Sequence, residues 1–473
     1  MSLCLSPYPE YKDSGIKWLG PIPAHWDVKR CKLLLQEIEA RSTDGKEQLL
    51  SVSQYTGVTP RRTKTGSDEA DTRAESLIGY KRVAPNDLVV NIMLAWNGSM
   101  GVSKYDGLIS PAYCIYRFKP NAVPWYYHHL LRQPVYKGRI KTASTGVVES
   151  RLRLYSDALF RLEALVPPTE EQEQIARFVA DYTRRSERLI HTKRRLIELL
   201  NEQKQAIIHR AVTRGLDPDV PLKPSGVEWL GEVPEHWEVK KLRYLATKFG
   251  SGVTPRGGSQ IYVEDGIPFL RSQNIHFDGL RLDVVARIPK TIHYELSGTH
   301  VKPGDVLLNI TGASIGRVCF VPDSFEDGNV SQHVCIIRPQ RRLVKSAFIA
   351  ALLSSPGAQY QLYISQNGSS REGLTLRAIK GFSMPVPSVE EQDLILTAIT
   401  VQTRDIVKAI DKAQAEIGFI REYRTRLVSD VVTGQLDVRG LALPDVDAEA
   451  AGMDAEAEEL DEGADEELEG AEL

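Results

Sequence analysis

The chain has 473 residues and a formal net charge of −3 at pH 7. It is too long for a single hydrophobic core, which indicates several folding units. It has no run of about 20 apolar residues and no signal-peptide pattern at its start, so neither a membrane span nor a secretory leader is expected. Five dispersed cysteines without Cys-x-x-Cys spacing predict neither a zinc site nor a disulfide framework, which fits a reducing, cytoplasmic environment.

The acidic residues are concentrated at the C-terminal end. Residues 445–473 contain 14 of the 62 Asp and Glu residues and no Lys or Arg, so the rest of the chain holds 48 acidic against 59 basic residues, a net charge of +11. A basic body is typical of proteins that bind a polyanion. The low-complexity composition of residues 439–473 predicts a disordered acidic tail.

The first element in chain order is a Trp-rich segment that occurs twice, at residues 14–29 and 225–240. The two copies share both Trp positions, the His, a Pro and two Gly. This repetition predicts a packed cap rather than a reactive site. We expect His25 and His236 to be hydrogen-bonded core residues within it.

Each copy is followed by short β-like runs separated by Gly, Pro and Asn turns. The runs cover residues 49–54, 87–93 and 112–118 in the first half, and 268–271, 305–310 and 334–338 in the second. The pattern predicts an α/β globule in each half. The loops of the two halves differ, which indicates two related binding surfaces with different targets, since loops usually carry function.

Each globule leads into a long segment with a heptad pattern. Residues 170–213 follow a Pro-Pro pair and Thr169, the expected N-cap, and their apolar residues recur at alternating steps of three and four. The pattern returns 220 residues later behind the same Glu-Glu-Gln start, so we expect each helix to bury its seam against the other. The predicted seam residues are Ile175, Val179, Tyr182, Leu189, Leu196, Leu200, Ile207, Ile395, Ile399, Ile406, Ile420, Tyr423 and Leu427.

The sequence therefore predicts an α+β tandem duplication of two α/β globules and two long helices. The predicted bounds are 1–165 for the first globule, 166–216 for the first helix, 217–385 for the second globule, 386–438 for the second helix and 439–473 for the tail.

Catalytic motifs are scarce. The chain lacks the Gly-x-x-x-x-Gly-Lys-Ser/Thr phosphate loop and the Asn- or Asp-Pro-Pro-aromatic motif of amino-methyltransferases. No catalytic residue, cofactor-binding residue or metal ligand is predicted.

Polar loops with binding chemistry occur in both halves. Arg pairs with guanine, Asn and Gln pair with adenine, and Lys, Ser and Thr hold phosphates. In duplicate and on a basic body, such loops favour DNA as the ligand. The candidate DNA-binding residues are Gln54, Thr59, Arg61, Arg62, Lys64, Trp96, Asn97, Thr254, Arg256, Arg271, Gln273, Asn274, Ser314, Arg317, Gln332, His333, Ser369, Ser370 and Arg371.

These features resemble the specificity (S) subunit of a type I restriction-modification enzyme. The resemblance is carried by the Pro-x-x-Glu-Glu-Gln helix starts at residues 167–172 and 387–392, the repeated Trp segment and residues 304–317. It covers almost everything except the acidic tail, which is not part of the family's pattern.

The resemblance implies two target-recognition domains that each read one half of a split double-stranded DNA site. The long helices would form an antiparallel coiled coil that sets the gap and docks two modification (methyltransferase) subunits, which restriction/translocase subunits would join. S-adenosylmethionine, ATP and Mg would then be bound by partner subunits, and this chain would be a non-catalytic cytoplasmic protein.

Two other classes remain open. A standalone DNA methyltransferase or nuclease is disfavoured by the missing motifs. A coiled-coil protein scaffold without DNA readout is disfavoured by the basic body and the duplicated polar loops.

Overall fold

The computed structural model describes residues 5–61, 76–148, 151–366 and 373–443. The candidates Arg62, Lys64, Ser369, Ser370 and Arg371, and the acidic residues 445–473, lie outside the described residues. Within the described ranges, none of the helices combines the length and the apolar character needed to cross a membrane.

The chain divides into two compact units. Unit 1 comprises Met1–Arg194 with Ala415–Leu473, and unit 2 comprises Arg195–Gln414. Each unit combines a globule with a part of each long helix, whereas the sequence-based bounds separate the globules from the helices.

Unit 1 contains a four-stranded antiparallel sheet of order β4-β11-β8-β9, together with the strand pairs β1-β2, β12-β3, β5-β6 and β10-β7. Its described elements are β1 (Tyr11–Asp13), β2 (Pro21–Pro23), β3 (Asp27–Arg30), β4 (Leu35–Ile38), β5 (Leu50–Ser53), β6 (Gly57–Pro60), β7 (Lys81–Val83), β8 (Leu88–Val90), β9 (Met100–Val102), β10 (Gly107–Ile109), β11 (Cys114–Phe118), α1 (Pro124–Leu131), α2 (Pro134–Ala143), α3 (Ser156–Arg161), β12 (Glu163–Val166) and the start of α4 (Thr169–Arg214). One face of the sheet packs against α1 and α2 around the buried Tyr116, Tyr126 and Tyr127.

Unit 2 repeats this sheet as β16-β24-β21-β22 and adds a three-stranded sheet of order β20-β17-β23. Its described elements are β13 (Leu222–Pro224), β14 (Glu232–Pro234), β15 (Glu238–Lys241), β16 (Ala246–Ser251), β17 (Ile267–Leu270), β18 (Ile275–His276), β19 (Gly279–Leu280), β20 (Ala286–Ile288), α5 (Lys290–Glu295), β21 (Val306–Asn309), β22 (Val318–Phe320), β23 (Asn329–Val330), β24 (Val334–Pro339), α6 (Ser346–Leu353), α7 (Pro356–Ile364), α8 (Leu376–Gly381), β25 (Ser383–Val386) and the start of α9 (Val389–Val432). The same strand order in both units is the structural form of the duplication.

Each predicted strand is present, but its ends differ from the prediction: four runs are shortened, the run at residues 268–271 shifts by one residue to give β17, and β24 extends one residue beyond residues 334–338. The run at residues 87–93 gives only β8, because the Asn91 side chain accepts a hydrogen bond from the Met93 N–H at 3.2 Å and turns the chain. Its counterpart in unit 2 likewise ends at Asn309.

The long helices are antiparallel partners. In unit 1, ion pairs join Glu187 to Arg424 and Lys193 to Glu416, so the positions on α9 decrease as those on α4 increase. In unit 2, Ile208 of α4 and Ile395 of α9 belong to the same apolar cluster.

Most predicted seam positions are buried or half-buried, namely Ile175, Val179, Tyr182, Leu200, Ile207, Ile395, Ile399, Ile406, Ile420 and Leu427. Leu189 and Leu196 are instead 47% and 45% exposed, so their prediction was wrong. Tyr423 is 54% exposed, but the centre of its ring lies 6.3 Å from that of Tyr182 on α4, so it still lies at the seam. A helix has about 3.6 residues per turn, and a strict 3.5-residue template drifts away from its buried stripe. The neighbouring Ile190 is accordingly only 2% exposed.

Unit 1 also joins segments that are far apart in the sequence. The Tyr126 hydroxyl donates to the Val432 carbonyl at 3.1 Å, and the Gln174 amide donates to the Leu441 carbonyl at 2.9 Å. The segment after α9 is thereby part of the unit 1 core.

Candidate nucleic-acid interface

Hydrogen bonds hold three loops of unit 2 next to one another. Loop A (residues 271–274) follows β17, loop B (residues 310–317) joins β21 to β22, and loop C (residues 331–333) precedes β24. The Ser331 N–H donates to the Leu270 carbonyl at 2.9 Å, and the Ile310 N–H donates to the His333 carbonyl at 2.9 Å. Candidates that are dispersed in the sequence therefore lie on one surface, the loop cluster.

A fourth candidate segment lies beside loop C because of Gly252. The Gly252 N–H donates to the Val334 carbonyl at 3.2 Å. A Cβ atom at Gly252 would lie 1.8 Å from the Val330 carbonyl oxygen, so only glycine permits this approach. Thr254 and Arg256, which follow, are exposed.

Loops B and C present a connected row of polar side chains. The Thr311 hydroxyl is hydrogen-bonded to His333 Nδ1, and Gln332 Nε2 lies 3.0 Å from His333 Nε2. Gln332 and His333 are exposed, as is Gln273 of loop A, and Arg317 is half-buried at the end of loop B. Amides and imidazoles supply donors and acceptors of the kind that read base edges.

Other candidates on the loop cluster support its backbone. Asn274 is 2% exposed, its Oδ1 accepts from the Arg271 N–H at 2.9 Å, and its Nδ2 donates to a neighbouring carbonyl at 2.9 Å. This corrects the prediction for Asn274, because its amide is engaged inside the protein. Ser314 Oγ accepts from Asn309 at 3.0 Å, and the Arg271 guanidinium lies 5.7 Å from the centre of the Tyr262 ring.

The corresponding candidates of unit 1 lie on the β5–β6 hairpin. Gln54 is in its turn, Thr59 is half-buried on β6, and Arg61 is exposed directly after β6. Arg132, at the end of α1, holds the turn by donating to the carbonyls of Gln54 and Tyr55 at 2.9 and 2.6 Å. These hydrogen bonds hold the hairpin against α1, while the side chain of Arg61 stays accessible to solvent.

Trp96 and Asn97 occupy a short 3-10 turn after β8. Asn97 Oδ1 accepts from the N–H and the hydroxyl of Ser99 at 3.1 and 2.9 Å. The half-buried Trp96 packs against the unit 1 core beneath the Lys141 ammonium group, 5.5 Å from the ring centre. Both residues shape this loop instead of extending from it.

An ion pair with a buried carboxylate fixes the central sheet behind each set of loops. Asp87, 1% exposed, accepts from Arg117 Nε and Nη2 at 2.9 and 3.0 Å. Asp305, also 1% exposed, accepts from Arg338 Nε and Nη2 at 2.7 Å each. In both cases the hydrogen bonds to the carboxylate raise the pKa of the arginine. The sheet beneath the loops is thus repeated in both units together with its ion pair.

The start of each long helix is a second duplicated hydrogen-bond centre. Glu171 accepts from the Trp26 indole at 3.0 Å, and Glu391 accepts from the Trp237 indole at 2.9 Å. The repeated Glu-Glu-Gln start put these glutamates at the beginning of each helix, where acidic residues interact favourably with the helix dipole, but no signal in the sequence predicted their indole partners.

The adjacent glutamines tie the same helix starts to the globules. Gln172 Nε2 donates to the Pro167 carbonyl at 2.8 Å, and its Oε1 accepts from the Val123 N–H at 2.9 Å. Gln392 repeats this pattern with the Pro387 carbonyl at 2.9 Å and the Lys345 N–H at 2.8 Å. The repeated Glu-Glu-Gln motif is therefore a structural junction.

The repeated Trp segment is only partly as predicted. Trp26 and Trp237 are fully buried, which agrees with a packed cap. The side chains of His25 and His236 are 36% and 55% exposed, so the prediction of core residues was wrong. Each His pairs at the surface with the glutamate that binds its neighbouring Trp, at 2.7 Å for Glu171 and 3.0 Å for Glu391.

Among the described residues, the groups that could hold a metal ion comprise His293, His300 and Asp327, whose ligand atoms lie within 4.8 Å of one another. The two imidazole rings stack at 3.9 Å with an interplanar angle of 5°. Their in-plane lone pairs are nearly parallel and do not converge on one ion. His293 instead bonds Asn329 Oδ1 at 2.7 Å and Asp327 at 3.1 Å, as a structural polar cluster.

The chain is similar to known proteins. The family model described as a type I restriction modification DNA specificity domain matches residues 234–416. The type I restriction enzyme MjaVIII specificity subunit of Methanocaldococcus jannaschii is 23% identical over 374 residues, which are 76% of this chain and 83% of that protein. The type I restriction enzyme EcoBI specificity subunit of Escherichia coli is 26% identical over 349 residues, 71% of each chain.

A chain from a solved structure of a type I R-M system has the same fold. The TM-score is 0.60 at 13% sequence identity, and the match covers 87% of this chain and 98% of that one.

Proposed function

We propose that this chain is a type I restriction-modification DNA specificity subunit and that each unit reads one half of a bipartite double-stranded DNA site. The observation that carries the proposal is the loop cluster of unit 2. Four segments with base-reading chemistry converge there, on a frame that unit 1 repeats with different loops. One frame with two sets of loops suits two half-sites of different sequence.

A domain exchange tests independent reading. Residues 14–165 are replaced by the equivalent residues of a related specificity subunit, and the complex with its methyltransferase subunits is expressed in cells. Sequencing of the methylated sites should show one altered half-site, an unchanged second half-site and an unchanged gap. The matched control replaces residues 225–385 and should alter only the other half. If either exchange alters both halves, the units do not read DNA independently.

We also assign the gap between the half-sites, and the docking of two modification subunits, to α4 and α9. Half-sites on one face of DNA lie roughly 34–36 Å apart per helical turn. The 46 residues of α4 correspond to about 69 Å of helix, so the helix is long enough to serve as a spacer.

Insertion of four residues after Lys193 lengthens α4 by about 6 Å. The preferred gap should lengthen or assembly should fail, whereas the same insertion after the exposed Asp323 should leave the gap unchanged. An unchanged gap and full activity after the Lys193 insertion would exclude the spacer role.

Under this proposal the chain is non-catalytic and acts in the cytoplasm. S-adenosylmethionine, ATP and Mg are then bound by its modification and restriction/translocase partners. Titration of the isolated chain with S-adenosylmethionine should give no heat of binding, and binding would favour a standalone methyltransferase. A gel shift with genomic fragments, with and without partner subunits, tests the scaffold alternative, which expects no shift in either case.

A further inference from the structure

We propose that Asn309 is a positioning residue that sets the loop cluster and thereby the base preference of the half-site read by unit 2. The inference rests on the proposed function. Asn309 is the last residue of β21 and is fully buried. Its Nδ2 donates to the Ser272 carbonyl of loop A at 2.8 Å and to Ser314 Oγ of loop B at 3.0 Å. One side-chain amide therefore bridges two of the three loops.

The backbone of Asn309 closes the base of loop B. Its N–H donates to the Arg317 carbonyl at 2.9 Å, and its carbonyl accepts from the Gly316 N–H at 3.0 Å. The next residue, Ile310, is bonded to the carbonyl of His333 in loop C. The end of one central strand is thus hydrogen-bonded to all three loops. This strand end fixes the positions of the exposed side chains on the loops.

The position needs an amide. Asp would lose both Nδ2 hydrogen bonds, Ser cannot reach two acceptors on different loops, and Ala offers no donor. The two acceptors around Nδ2 also fix the orientation of the amide. Asn309 Oδ1 is buried and has no partner among the described residues, so the bridge to both loops depends on the Nδ2 hydrogens.

Unit 1 has Asn91 at the matching position of its frame, with different partners. Asn91 Nδ2 donates to the Tyr113 hydroxyl at 3.2 Å. Burial raises the pKa of this hydroxyl, and the positive charge of the neighbouring Arg61, a candidate DNA-binding residue, partly offsets that increase. The same frame residue therefore bonds a different loop in each unit, and Asn91 provides the matched control.

The experiment uses the full chain in complex with its methyltransferase subunits. Methylated sites are sequenced in cells that carry Asn309→Ala or Asn91→Ala. Misplaced base contacts should lower discrimination against single-base variants about tenfold, since one good base contact contributes a discrimination of that order or more. Asn309→Ala should relax only the half-site of unit 2, and Asn91→Ala only the half-site of unit 1.

A merely structural role would reduce methylation at all sites uniformly and keep the base preference, and that result would overturn the proposal. Ser314→Ala removes one of the two bridges and leaves β21 intact, so it decides the matter if Asn309→Ala does not fold. It should relax the unit 2 half-site by a smaller factor, and wild-type discrimination in Ser314→Ala would then refute the role of the bridge. If the wild-type complex itself methylates no bipartite site, the proposed function fails, and the two failures are distinguishable.

Discussion

Replacement of the duplicated glutamates at the helix starts should destabilise the two units unequally. Glu171 accepts three hydrogen bonds, from the Tyr8 hydroxyl at 2.7 Å, the Trp26 indole at 3.0 Å and His25 at 2.7 Å. Among the residues that the structure describes, the Glu391 carboxylate is bonded only by the Trp237 indole and the exposed His236. Tyr8 is 3% exposed and both indoles are fully buried, so Glu171→Ala leaves two buried donors unpaired and Glu391→Ala leaves one.

A buried donor without a partner costs about 1–3 kcal/mol. Loss of Glu171 should therefore reduce the free energy of unfolding of unit 1 by about 2–6 kcal/mol, against about 1–3 kcal/mol for Glu391 in unit 2. The pairs with the partly exposed histidines add less, because exposed ion pairs contribute at most about 1 kcal/mol.

Urea unfolding, followed by Trp fluorescence, measures the effect. Two compact units need not unfold in one step, so each transition is fitted separately. Glu171→Ala should shift the unit 1 transition by more than Glu391→Ala shifts that of unit 2. Equal shifts, or a larger shift for Glu391→Ala, would refute the count of buried donors.

Three further predictions concern pH, packing and charge. Burial, reinforced by nearby cations, holds the pKa of His128 well below its usual value and that of His129 at about 3. Below about pH 6.5 the unfolded chain therefore binds more protons than the folded chain, and the free energy of unfolding of unit 1 should fall by up to about 1.4 kcal/mol per histidine per pH unit. The variant His128→Gln should reduce this slope in urea denaturation measured at a series of pH values. Gly252→Ala forces a Cβ against a backbone carbonyl and should lower the free energy of unfolding by about 1–3 kcal/mol or more. In the control Gly250→Ala, the added Cβ meets no atom closer than 4.0 Å. Equal melting temperatures of the two variants would contradict the close contact at Gly252. Truncation after Leu443 removes 14 acidic residues and should tighten non-specific DNA binding at low salt by an amount that vanishes at high salt, and equal affinity at low salt would exclude competition by these residues.

The sequence predicts the frame of this protein well because the frame obeys periodic rules. The duplicated Trp segment, the heptad helices and the β-like runs all carry a period or a repeated motif. The errors occur where a template departs from real geometry. A 3.5-residue period placed Leu189 at the seam, whereas the helix buries Ile190.

The loop cluster is harder to predict, because its organisation depends on partners distant in the sequence. Composition identified Gln273, Gln332 and His333 as polar loop residues, but it could not separate them from Asn274, whose amide is consumed in its own turn. Asn309 looks like the end of an apolar strand, and its bridge to Ser272 spans 37 positions. No local pattern reports such a contact.

The composition of unit 1 from two separate segments has a consequence for synthesis on the ribosome. Residues 195–414, which form unit 2, leave the ribosome as one uninterrupted stretch. Unit 1 must wait for them, because Tyr126 and Gln174 donate hydrogen bonds to the carbonyls of Val432 and Leu441, which are translated later. We therefore expect the second globule to complete its fold first, while the first globule remains an unfinished core that depends on chaperones until α9 has been translated.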